Sequence, residues 1–176
     1  MTNMTKTNFI NFLKNGYNKN FVKDWLDLAK SHSVYITEPK PKNIKNDATI
    51  SYRRFYAYFI SLNYLARVFN FAVYQNYAER LLEDEISFFI NQLTSKESEI
   101  SLNDYNPLKS NKLSLLLTKI DNNSKIETPE DLFKNISLIH KKIFSGSKQN
   151  INAELLDECN FVLDEFFRKF EEIRCD

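Results

Sequence analysis

A chain of 176 residues holding 43% apolar and 27% charged residues is long enough to bury one sizeable core, yet it has only 2 Gly and 4 Pro. Sheet-rich folds need turn residues roughly every ten positions, so this scarcity excludes them and leaves an all-α fold. A net charge of +1 supplies no global field toward nucleic acid or anionic lipid.

The charge is nevertheless uneven along the chain: +6 over 1–54, −4 over 55–106, +4 over 107–148 and −5 over 149–176. Neighbouring helices of opposite sign attract one another mildly across their rims. Asn, Lys, Ile, Phe and Tyr dominate the composition, and all five are encoded by AT-rich codons, which points to an AT-rich bacterial or phage genome.

The polar stretch Met1–Asn8 lacks the apolar core of a signal peptide. Phe9, Ile10, Phe12 and Leu13 then form a short helical face, with Gly16 as a left-handed cap. A second helix is predicted over Lys19–Ser31, burying Phe21, Val22, Trp25, Leu26 and Leu28. Residues 33–50, with Pro39 and Pro41, read as an irregular surface connector.

From Ser51 to Leu93 there is neither Gly nor Pro. Phe55, Phe59, Leu62, Ala66, Phe69 and Val73 follow helical spacing, but the same rhythm then reaches Asn76, Arg80 and Glu83. The apolar pattern resumes out of phase at Ala78, Leu82, Ile86, Phe89 and Leu93, which predicts a break or sharp bend near Asn70–Tyr77. Phe55–Ala78 is long enough to span a bilayer, but Arg67 at its centre and Asn63, Asn70, Gln75 and Asn76 argue against it. The stretch reads as a buried central helix.

Residues 94–110 read as a polar loop, and Leu113–Ile120 as a short helix. Thr128-Pro129-Glu130-Asp131 is a helix start: Thr as N-cap, Pro in the first turn, acids at the positive end of the dipole. That helix carries Leu132, Phe133, Ile136, Ile139 and Ile143 inward. Asn152 caps the last one, whose stripe is Leu155, Cys159, Val162, Phe166, Phe170 and Ile173. The expectation is one domain, an antiparallel bundle of five to seven helices around a long aromatic-rich helix or helix pair.

Chemistry-bearing residues are few. Cys159 and Cys175 sit about 24 Å apart on one predicted helix, too far to pair, and two unpaired thiols suggest the cytoplasm. The only histidines, His32 and His140, lack an adjoining motif, and no Glu stands three residues before either, as a di-iron bundle requires. Two distant cysteines make no zinc site, and two glycines make no phosphate loop, so no catalytic residue, metal or cofactor is expected.

Ser51-Tyr52-Arg53-Arg54-Phe55-Tyr56-Ala57-Tyr58-Phe59 resembles the aromatic, arginine-led helix of HEPN bundles, many of which are RNases. The family's catalytic signature is an Arg, a polar residue and, after a short gap, a His on the same helix end. Neither histidine here has an Arg shortly before it, so the resemblance implies a non-catalytic relative in a defence context.

Ten aromatics between Tyr52 and Tyr77 exceed what one helical face can hold. They imply either a helix buried on several sides or a tyrosine-rich face for a protein partner. The leading expectation is a non-enzymatic adaptor, inhibitor or immunity-type protein that binds another protein, with a homodimer compatible. The alternative is weak, non-specific nucleic-acid binding through Lys40, Lys42, Lys45, Arg53 and Arg54, with Tyr52 or Tyr56 stacking on a base.

Overall fold

α1 (Lys6–Asn15) starts where the Thr5 hydroxyl accepts the Asn8 N–H at 3.2 Å, and it turns Phe9, Phe12 and Leu13 inward. In this computed structural model, residues 4–31, 41–74, 84–102, 104–121, 125–146 and 150–175 are described. Gly16 ends α1, but with φ −81° rather than in the expected left-handed conformation. Glycine is required there for space, since a Cβ would collide with the ring and backbone of Phe12. α2 (Lys19–Lys30), capped by Asn18, buries Val22, Leu26 and Ala29.

Of the expected connector, the part through Lys40 lies outside the described residues, and the rest is not a simple surface loop. Asn43 and Ile44 are buried. Ile44 forms an isolated parallel bridge with Ile151, and the Asn43 side-chain amide donates to the Lys142 carbonyl at 3.1 Å. An apolar residue between two lysines gives the chain a reason to dip inward there. A short 3-10 turn at Asn46–Ala48 leads into α3 (Thr49–Val73).

The predicted break is present. α3 stops at Val73, and Tyr74 takes extended angles while its N–H still reaches the Asn70 carbonyl. Ala78 and Leu82, where the apolar pattern resumes, lie outside the described residues; Ile86, Phe89 and Leu93 are buried in α4 (Glu85–Thr94). The following loop is more than polar surface, because Ile100 and Tyr105 pack into the core.

α5 (Lys112–Ile120) contributes Leu113 and Leu117 to the core. α6 (Pro129–Phe144) opens with the expected cap: Thr128 accepts the Asp131 N–H, and the Asp131 carboxylate accepts the Thr128 N–H at 3.0 Å. Burial works against that charge, but the Glu127 and Thr128 donors prevail and hold the carboxyl below its usual range. Asn152 caps α7 (Ala153–Cys175), accepting the Leu155 N–H at 2.9 Å. Cys159 and Cys175 thus share one helix, and burial pushes the Cys159 thiol up, so it stays protonated and inert.

Among the described residues, then, seven α-helices pack around one core and no strand forms. The antiparallel expectation needs one correction. α2 and α6 do run against α3, as the pairs Trp25–Tyr56 and Phe21–Tyr64, and Phe144–Tyr56 and His140–Phe59, show. α7 runs parallel to α3. Ser51 Oγ donates to Asp157 at 2.5 Å, and seven residues further along both helices Tyr58 Oη donates to Asp164 at 2.7 Å. Between them Asn160 Nδ2 donates to the Ser51 carbonyl at 2.9 Å. The parallel bridge at Ile44 and Ile151 sets both helices off in one direction, and α4, α5 and α6 bring the chain back for the second.

Candidate interaction face

Of the seven residues expected to bind a partner, six are among the described residues, and they lie on more than one side of the structure. Lys40 lies outside the described residues, as does His32. Lys42 and Lys45 are exposed on either side of the buried Asn43–Ile44 pair. Tyr52 and Tyr56, one helical turn apart, are half-buried on the side of α3 that faces α2 and α6, their rings 6.2 Å apart. Arg53 and Arg54 follow Tyr52 by about 100° and 200° around the helix axis, so Arg54 points nearly opposite. Its charge acts on the Tyr58 phenol, which places it on the α7 side. Burial, and then the bond to Asp164, push that phenol well above its usual range. Arg54 therefore stands apart from the side of α3 that carries Tyr52 and Tyr56.

The tyrosines join a different set of residues. The Tyr56 ring lies 6.1 Å from Trp25 and 6.4 Å from Phe144, and Phe144 lies 4.5 Å from the His140 ring. His140 in turn stacks on Phe59 at 3.9 Å with 19° between the planes. Phe144, at the last position of α6, is 62% exposed. The result is a continuous row of rings from Tyr52 to Phe59, crossing three helices and open to solvent at Phe144. Phe144 was missed in the sequence because it falls off the stripe Leu132, Ile136, Ile139, Ile143. That position is itself the available signal, a large apolar residue at a helix end on the solvent side.

His140 also forms one wall of a groove of about 490 Å³, lined further by Asn63, Asp84, Glu85, Lys134 and Lys141. Asp84 adopts φ 41°, a left-handed conformation that Asp tolerates better than most residues. Burial raises the Glu85 carboxyl while Arg67, 3.9 Å away, opposes the rise. Burial alone lowers His140 to about 4. A base that weak removes protons poorly near neutral pH. At that pH the imidazole is a neutral flat ring. Among the described residues no three His, Cys, Asp or Glu side chains gather as metal ligands would.

The depressed His140 value has a measurable consequence. The unfolded imidazole titrates near about 6.5, so the unfolded chain binds the proton first and stability falls as pH drops from about 6.5 toward 4. Allowing for the ring's partial exposure, the expected loss is about 1–2 kcal/mol. Denaturation of wild type and His140→Phe at about pH 7 and about pH 4.5 isolates it: the variant should lose less between the two. Equal losses would show that burial does not hold this imidazole neutral.

Comparison with protein-family models, curated proteins and solved structures finds no match to this chain. No helix among the described residues is long and apolar enough to cross a membrane, and Arg67 is exposed.

Proposed function

We propose that this protein acts by binding another protein through the aromatic face of Tyr52, Tyr56, Trp25, His140 and Phe144, as an adaptor, inhibitor or immunity-type protein rather than an enzyme. The observation that carries this reading is Phe144, a large ring more than half exposed at the open end of a row of packed rings. Rings anchored from below are pre-ordered, so little side-chain entropy is lost when a partner covers them. Tyr and Trp are among the residue types that dominate interface energetics. Arg54 lies toward α7, away from Tyr52 and Tyr56, which weakens the nucleic-acid alternative in which these groups act together.

Wild type and Phe144→Glu, each tagged and purified from the native cell, test the proposal. One protein should co-purify in stoichiometric amount with wild type and be absent from the variant, whose melting curve should be unchanged because the position is exposed. A partner retained by Phe144→Glu would remove this face from consideration. Nuclease-sensitive nucleic acid in place of a protein would move the function to the alternative class.

A further inference from the structure

A second pair of surfaces lies away from the aromatic face. The first is a groove of about 620 Å³ whose apolar floor includes Phe9, Ile10, Leu13 and Ile100 and whose far wall is Ile173 of α7. Ile10 is 42% exposed within it. Lys6, Lys14 and Lys19 stand around the groove against one acid, Glu99, whose carboxylate already accepts the Lys6 N–H at 3.0 Å. The second is Phe161, 64% exposed on the outward side of α7. Asp157, Glu158, Asp164 and Glu165 occupy the positions three and four residues away on either side, which are its neighbours on a helix. Asp157 and Asp164 accept from the uncharged hydroxyls of Ser51 and Tyr58 and have no cation against them in those bonds, while Glu158 has Lys112 at 3.2 Å and Glu165 has Arg168 at 3.9 Å.

We infer that copies of this chain associate head to tail, with Phe161 and its surrounding carboxylates on one copy seated in the lysine-edged groove beside α1 of the next. The two surfaces match in shape class and in net sign: an apolar knob among four acids, two of them already paired with Lys112 and Arg168, and an apolar hollow among three lysines and one acid. They cannot meet inside one copy. Phe161 and the groove wall at Ile173 lie on the same helix, twelve residues and about 18 Å apart. The occupant is therefore a second molecule, and the contact is heterologous, leaving a free knob and a free groove at the two ends of any assembly that does not close into a ring. Opposed charges around the contact make the association weaken with salt.

Sedimentation velocity over a concentration series at low and high salt tests this with two variants of the full chain, Phe161→Ala and Lys14→Glu. Wild type should form concentration-dependent oligomers that dissociate as salt rises. Each variant alone should associate about tenfold more weakly or not at all. Mixed in equal amounts, the intact groove of Phe161→Ala and the intact knob of Lys14→Glu should form a one-to-one pair that grows no further. A wild-type chain that stays monomeric at low salt overturns the inference. So do oligomers that survive both substitutions, or that vanish on Phe144→Glu but persist in Phe161→Ala.

Discussion

Phe166→Ala is expected to cost about 3–5 kcal/mol of folding stability. The side chain is fully buried, and its ring meets Phe89 of α4 at 5.9 Å, Tyr105 of the following loop at 5.9 Å, Phe133 of α6 at 5.7 Å and Phe167 of its own helix at 5.2 Å. Truncation removes the transfer energy of the ring and leaves a cavity between three elements and α7. Those elements are held by other contacts, so they cannot close on the gap, which places the cost toward the upper part of the range. Urea denaturation of wild type and variant measures it, with an unchanged m-value showing that the same surface still unfolds. A loss below about 1 kcal/mol would mean that this stripe of α7 is not core.

The second large effect belongs to Asn160→Asp, expected to cost upward of about 3 kcal/mol near neutral pH. Asn160 is buried between α3 and α7, with its amide nitrogen donating to the Ser51 carbonyl at 2.9 Å. The substitution changes almost no volume but replaces that donor with a charged acceptor facing another acceptor. Burial raises the carboxyl of such a residue above its unfolded value of about 3.9, so the folded state takes up a proton first as pH falls. The penalty should therefore shrink between about pH 7 and about pH 5, whereas an Asn160→Ala penalty should stay level over that interval. A cost that does not change with pH would show that the carboxylate escapes to water.

How much of this was legible beforehand depended on whether the information was local. Helix spacing marked the α7 stripe, and the Thr128-Pro129 start and the phase change near Val73 were visible because each is written within a few residues. The direction of α7 against α3 was not, because Ser51 and Asp157, or Tyr58 and Asp164, carry no sign of one another in the chain. The same holds for Ile44, which looked like an isolated apolar residue in a connector until Ile151 was placed beside it. In the candidate site, Tyr52 and Tyr56 were singled out as rings beside a basic cluster, and the structure pairs them one turn apart on α3. Arg53 and Arg54 stand next to Tyr52 in the chain but leave the helix about 100° and 200° around its axis from it, a spread that adjacency in sequence does not convey. Phe144 was overlooked because its partners come from α3 and from the preceding turn of α6, so only the packed structure joins them.

The parallel pairing of α3 with α7 also sets the order in which the chain can acquire its shape. Its hydrogen bonds join residues 106 to 109 positions apart in the chain, so a long loop must close before they contribute anything. Contacts of that separation slow folding relative to a bundle built from neighbouring hairpins. On the ribosome, α2 can fold back on α3 early, but the flank of α3 that holds Ser51 and Tyr58 has no cover until the last of the seven helices has emerged. During that interval the chain presents part of its interior to the cell, and its need for protection from aggregation is greatest before synthesis of α7 is complete.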